Sequence, residues 1–262
     1  MRLRVIDQGE DTPIASHAVP YGIAAAMAAK DEPVLTLSTA ATSYVSIGVS
    51  QDIEREIDAA CPLPVLRREV GGGVVLIDHD QLYFHVVIPR RLAPAGSGRL
   101  FAHVAAPVAA THADLGITAA QVAQEIQADG RKLGAMAAAE IGEAMVVAGS
   151  FLFDFDRALF ARCLRLERET ERSALRQTLA ARIATMRDLL GVPPSRRQVQ
   201  GLFVRRAAEA FGCTPAETGL RSAESAAVAE ASIRHADPDW TQWREGRQGS
   251  WRPDSILDKS MD

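Results

Sequence analysis

The chain has 262 residues, 47% hydrophobic and 24% charged, with a formal net charge of -4, which suits one large domain or one domain plus a small appendage and excludes a disordered or fibrous chain. Its acidic balance lacks the basic excess that nucleic-acid binding needs, and Cys61, Cys163 and Cys213 are spaced for neither a disulfide framework nor a zinc site. The first twenty residues lack a signal-peptide apolar region and no stretch approaches the roughly 20 apolar residues of a membrane span, so the expected setting is cytoplasmic, with no nucleic acid and no membrane as partner.

In chain order, His17 to Lys30 is alanine-rich and helix-compatible. From Val34 to Ile88 the runs VLTLST, YVSIGVS, PVLRREV, VVLI and LYFHVVIP predict strands, with one helical stretch from Asp52 to Ala60. Gly98 to Leu115 reads as a helix, and QVAQEIQ and EAMVVAGSFLFDF as further strands. From Asp156 to Phe211 apolar residues recur at helical spacing, interrupted at Gly191-Val192-Pro193-Pro194, where Ser195 is a suitable N-cap. The arginines dense in 157–206 are mixed with carboxylates and read as solvated helix faces. The fold class is α+β, a mixed sheet first and helices after, with the main domain over 1–212. Residues 213–262, which carry Trp240, Trp243 and Trp251 but few aliphatics, read as a short tail packing on that domain or on a partner.

Two segments carry chemistry. In PVLRREVGGGVVLID, residues 64–78, a double arginine precedes three glycines between apolar runs. Three glycines cost backbone entropy. A hairpin turn explains one or two of them. The third, beside Arg67 and Arg68, suggests close approach of the backbone to an anionic or carbonyl-bearing ligand, with amide donors exposed. The spacing is neither Walker A nor GxGxxG.

The second segment is QEIQADGRKLGAMAAAE, residues 124–140. Asp129-Gly130 signals a tight turn that places Arg131 and Lys132 at the start of the next strand, an arrangement that also describes an ordinary charged hairpin. Of 29 basic residues 26 are arginines, so a lysine beside an arginine suggests a task suited to a compact ammonium. The small residues that follow suit a strand lining a ligand cavity.

Together these segments resemble the lipoate-protein ligase A family of the biotin/lipoate A/B protein ligase superfamily. The family pattern is RRxxGGG, an apolar pair and an aspartate, then DGRK, then a strand ending in Gly-Ser/Thr. Here these stand as Arg67, Arg68, Gly71, Gly72, Gly73, Val74, Val75 and Asp78, then Asp129 to Lys132 with Gly134 and Ala135 following, then Gly149 and Ser150. Gly48 and Gln51 match the family's Gly-x-x-Gln, and the likeness spans roughly residues 15–212. Ile77, Gln124-Glu125 and Ala148 depart from the usual His, Asn-Asp and His, which places the chain nearer a divergent branch.

The resemblance implies a mixed-sheet catalytic domain that joins lipoate or octanoate to a lysine of a lipoyl carrier protein, a lipoyl domain or glycine-cleavage-H-like protein. ATP and Mg2+ serve as cofactors and lipoyl-AMP is the intermediate. Arg67 and the Gly71–Gly73 amides would hold phosphate and acyl oxygens. Lys132 would be catalytic at the carboxyl–phosphate junction, and Glu125 the carboxylate nearest magnesium. Val74, Val75 and Phe84 are candidate channel walls, with plain core the commoner role for any single one of them. The family's accessory C-terminal domain has no full counterpart after the tryptophan-rich stretch, so either a separate accessory subunit supplies it or this branch works without one.

The alternatives are acyl transfer through a cysteine thioester, with Cys163 the nearest thiol to the family's transferase cysteine, and a non-catalytic acyl-carrier-binding module, which would have no need for Lys132.

Overall fold

The computed structural model describes residues 1–242 of the chain. β1 (Arg2–Asp11) leads into α1 (Pro13–Ala26), which starts with proline and is capped by Thr12 accepting from the Ala15 amide. β2 (Val34–Ala40) and β3 (Tyr44–Ile47) are followed by a single helical turn, α2 (Ile53–Glu56), capped by Asp52. β4 (Val65–Arg67) and β5 (Val75–Ile77) flank the glycine segment, and β6 (Gln81–Pro89) is buried throughout. After α3 (Ser97–Asp114) come β7 (Ala120–Val122), β8 (Glu125–Ala128), β9 (Arg131–Ile141) and β10 (Ala144–Leu152). The helices α4 (Arg157–Cys163), α5 (Glu169–Arg182), α6 (Met186–Leu190) and α7 (Arg196–Ala210) precede β11 (Thr214–Glu217), α8 (Ser222–Ala236) and α9 (Pro238–Gln242).

The strands form two sheets. The larger is mixed, in the order β11-β1-β2-β6-β10-β9-β8-β7, with β1 parallel to both its neighbours and the other pairs antiparallel. In the smaller, β3 pairs in parallel with β4 on one side and antiparallel with β5 on the other.

Period-two alternation divides the large sheet into two faces. Leu35, Leu37, Phe84, Val86, Val147 and Phe151 point to α3 and α7, where Leu100, Val104 and Phe203 complete the main core. Val34, Tyr83, Val87, Val146 and Ala148 point the other way, toward Tyr21, Ile23 and Ala24 of α1. A third cluster joins the small sheet to α4 and α5 through Val45, Ile47, Leu76, Phe160 and Leu179.

The sheet with flanking helices is the architecture expected from the sequence, down to Ser195, whose hydroxyl accepts from the Gln198 amide at 3.2 Å to start α7. Several arginines of 157–206 pair with surface carboxylates, as in Arg157–Asp188 and Arg187–Asp154, both at 2.7 Å. Three local differences have physical causes. The helix expected over 52–60 stops at Glu56, because Ile57 turns extended to bridge Leu164. The strand QVAQEIQ splits into β7 and β8 around Ala123, which adopts a φ of 51°. Past Gly212, where no period is legible, β11 extends the sheet beside β1 and α8 lies on α1. That helix contact is close enough that a Cβ on Gly22 would come within 2.6 Å of the Val228 backbone. Trp243, Trp251 and the rest of 243–262 lie outside the described residues. Among the described residues no helix is long and apolar enough to cross a membrane.

Candidate active site

β4 and β5 do not pair with each other. Each bonds to β3 from opposite sides, so the three glycines form a loop across the end of the small sheet, where the sequence equally suggested a hairpin. Gly72 takes a φ of 92°, and its carbonyl lies so near Gly48 that a Cβ there would sit 2.1 Å from the oxygen. Gln51 closes the turn beneath, its Oε1 accepting from the Gly48 amide at 2.8 Å. Gly72 and Gly73 are exposed, and no described residue accepts a hydrogen bond from the amides of Gly71, Gly72 or Gly73. The loop therefore presents a row of main-chain donors.

The two arginines hold this loop from behind. Arg67 is fully buried; its Nη1 donates to the carbonyls of Gly48, Val49 and Gln51 at 3.0, 2.9 and 2.7 Å, and its Nη2 to Thr241 at 2.9 Å. Arg68 donates to the carbonyls of Ser46 at 2.9 Å, Gly71 at 2.8 Å and Gly73 at 2.7 Å. Burial pulls the Arg68 guanidinium below its ordinary pKa, against the opposing influence of Tyr83, Tyr21 and Tyr44 around it. The expectation from sequence puts Arg67 on phosphate and acyl oxygens; the observed donors of both arginines lie on main-chain carbonyls and, for Arg68, also on the Ser46 hydroxyl at 3.4 Å, so in this conformation they shape the loop.

The tight turn read at Asp129-Gly130 is present, both residues having positive φ, 51° and 69°. It joins β8 to β9, and the register then shifts by one residue: Ile126 faces Gly134 while Gln127 faces Lys132, leaving Leu133 as the extra residue of a bulge. The bulge has a consequence for Lys132. Strict alternation back from Ala135 would turn Lys132 onto the core face; with the bulge, Leu133 enters the core and Lys132 emerges on the face of Ala135 and Ala137. Glu125, opposite Ala135, lies on that face too, and its Oε1 is 3.3 Å from the Lys132 ammonium. Both side chains are about one-third exposed, at 32% and 33%. The glycine loop meets the same strand: a Cβ on Gly72 would be 3.8 Å from that of Ala137. The fold thus brings the two predicted segments to one sheet face.

The remaining predicted residues divide. Ser150 follows Ala148 on the open face, and its carbonyl leaves no room for a side chain on Gly134, where a Cβ would lie 2.9 Å away. Gly149 is required by the Phe84 ring, 2.6 Å from its would-be Cβ. Phe84 itself fills the main core with Phe151 and Phe203, on the opposite face from the loop, which removes it as a channel wall. Val74 packs in the third cluster and Val75 is exposed. Asp78 is buried and turns the chain into β6, its Oδ1 accepting from the Asp80 amide at 3.0 Å; burial raises its pKa. Ile77, in place of the family histidine, is packed in the α1-facing core.

Sequence reasoning places His85 near the glycine segment but does not foresee its gathering with His17, Tyr21 and Tyr83 in a buried set beside Arg68, because their spacing along the chain does not mark them as neighbours. Tyr83 and His85 rings lie 4.6 Å apart, and burial followed by the Arg68 charge pushes His85 down to about 3, so it is neutral. Nor did it foresee that His235 and Trp240 would touch Arg67. Cys163 is fully buried in the third cluster, and burial, then the Cys61 thiol, pushes it up to about 12. A thiol held this way stays protonated at neutral pH.

Glu125 also accepts from Gln127 Nε2 at 2.9 Å. Among the described residues no three His, Cys, Asp or Glu side chains gather as a metal cage, and one carboxylate beside Lys132 fits a magnesium carried by phosphate and water.

Residues 16–208 match the family model of the lipoyl protein ligase A/B catalytic domain. Solved structures share the fold. The bipartite lipoate protein ligase of the archaeal lipoylation system of Thermoplasma acidophilum, described with its E2 lipoyl domain, superposes with a TM-score of 0.85 at 20% identity, over 94% of this chain and 98% of that one. A lipoate-protein ligase A bound with ATP gives 0.78 at 21% identity, over 92% and 99%. A T. acidophilum protein with bound lipoic acid gives 0.77 at 21%, over 93% and 100%. No curated protein sequence gave a match.

Proposed function

The chain belongs to the lipoyl protein ligase A/B catalytic-domain family, and from that membership we propose that it attaches lipoate, or octanoate, to a lysine of a lipoyl carrier protein through an acyl-adenylate. The observation that carries the reading is the meeting of the open glycine loop with the strand of Lys132 on one sheet face. The structural neighbours solved with ATP, with lipoic acid and alongside an E2 lipoyl domain support the choice of substrates and carrier.

In the first step a carboxylate oxygen of the fatty acid attacks the α-phosphorus of ATP; the bond to the bridging oxygen breaks and pyrophosphate leaves. The amides of Gly71 to Gly73, which have no acceptor among the described residues, donate to phosphate and acyl oxygens, where negative charge builds. The Lys132 ammonium stabilises the oxygen shared by acyl group and phosphate, exchanging Glu125 for substrate as it does so. Magnesium, when bound with the nucleotide, would be held by phosphates, water and Glu125, and supplies neutralisation of phosphate charge. In the second step the carrier lysine amine attacks the acyl carbon, the carbon–oxygen bond to AMP breaks, and the amine loses its proton to solvent. Lys132 now stabilises the departing phosphate oxygen.

Purified protein with ATP, magnesium and lipoate is expected to form lipoyl-AMP, and mass spectrometry of a lipoyl carrier should show the added acyl group only when ATP is present. Lys132→Ala should slow adenylate formation at least roughly 100-fold, the scale of removing one charge-stabilising donor. Acyl transfer from a thioester without ATP, dependent on Cys163, would overturn the ligase reading.

A further inference from the structure

The family match ends at residue 208, yet a later segment grips the double-arginine motif. His235 Nδ1 donates to the Arg67 carbonyl at 3.1 Å, and Trp240 Nε1 donates to the same oxygen at 3.0 Å. A carbonyl only accepts, so Nδ1 must carry the hydrogen, and both lone pairs of that oxygen are engaged. In return, Arg67 Nε donates to the carbonyls of Trp240 at 3.1 Å and Thr241 at 3.2 Å. Next along, Arg234 pairs with Glu69 at 2.9 Å.

These contacts form a continuous path to the glycine loop. Fixing the Arg67 carbonyl fixes the peptide plane that launches Arg68, and Arg68 holds the carbonyls of Gly71 and Gly73. The other side of Arg67 holds the Gly48 carbonyl, and Gly48 abuts Gly72. The far end of α8 is anchored independently, by Arg4 Nη2 donating to Glu224 at 2.9 Å in a buried pair and by the close approach of Val228 to Gly22. A helix fixed at one end and bonded at the other to a loop-bearing residue transmits its position to that loop.

We propose that the segment from His235 to Thr241 is part of the active site as a positioning element, with His235 and Trp240 setting the conformation of the glycine loop through Arg67. The assignment rests on the ligase reading for its kinetic consequence, and its structural consequence stands apart from that reading. His235 Nε2 also lies 3.6 Å from Glu69 Oε1, but the contact on the Arg67 carbonyl uses Nδ1–H alone, and asparagine, whose amide reaches the same place as Nδ1, keeps that contact.

The test compares His235→Leu and His235→Asn with the full-length protein, in ATP-dependent lipoyl-adenylate formation and in hydrogen exchange of the amides of residues 68–73. His235→Leu should raise the KM for ATP about ten-fold, the ratio one hydrogen bond carries, and speed exchange in 68–73 while β10 stays protected. His235→Asn should return both to within about two-fold of the parent, well inside that ratio. Partial unfolding alone lowers kcat with the folded fraction and leaves KM in place. If His235→Leu does not fold, Trp240→Phe, which removes the indole N–H together with part of the ring, carries the same expectation. Unchanged exchange at 68–73, or an asparagine variant no better than leucine, overturns the positioning role. An inactive parent protein that still shows the exchange difference sinks the ligase reading and leaves the positioning role standing.

Discussion

Gly48 sits where a side chain has no space: its Cβ would overlap the Gly72 carbonyl at 2.1 Å, and the atom in the way is backbone. Gly48→Ala must therefore push the glycine loop or its own turn aside, at a cost of about 1–3 kcal/mol. Urea unfolding should register that loss. A displaced loop should also cut adenylate formation by roughly 100-fold, since an ångström at a positioning group carries that much. A variant with parental stability and rate would show that the contact between the two glycines is dispensable. Lys132 is the complementary case, a residue with space and partial exposure whose ionic partner among the described residues, Glu125, is one that substrate can displace.

Among the elements, α8 shows how an ion pair ties distant parts of the chain. Arg4 on β1 and Glu224 in the first turn of α8 are 4% and 7% exposed in their side chains. Burial works against the charge on Glu224, yet the hydrogen bond and charge of Arg4, together with the Arg221 amide and charge, outweigh it and hold the carboxyl below its ordinary value. Glu224→Gln leaves Arg4 buried without a counter-charge and should cost about 3–5 kcal/mol at neutral pH. A depressed folded pKa gives stability that is present above the unfolded pKa and lost as pH falls through the folded one. The gap between parent and variant, measured by denaturant melts across pH, should therefore close below about pH 4, under the ordinary glutamate range. A gap that persists undiminished at pH 2 would rule out the pair as its source.

At the scale of the molecule, the boundary expected at residue 212 is open to direct test. Truncation to 1–212 removes β11 from the edge of β1, α8 from the surface of α1, the partner of Arg4, and the contacts on Arg67. The removed elements also cover apolar surface on β1 and α1, and that loss is set against a whole-domain stability of only about 5–15 kcal/mol. The truncated protein should melt well below residues 1–242, or without cooperativity, by circular dichroism. Equal melting curves would mark 213–242 as a separable tail.

Much of this was legible in the sequence. Period-two runs and turn residues predict the strands, Asp129-Gly130 predicts the β8–β9 turn, and the motif order predicts the family, because each depends on neighbours along the chain. The bulge at Leu133 left a trace, since Leu133 and Met136 are apolar three residues apart in a strand of period two. What tertiary structure alone decided is where the polar groups point. Arg67 and Arg68 look alike beside three glycines, and only packing shows that buried carbonyls from three separate segments claim their donors. Likewise His235 and Trp240 show no motif, because their partner lies more than 160 residues away in sequence. Periodicity reports which face of an element is buried; which hydrogen bonds form across that face depends on contacts between segments that local sequence does not encode.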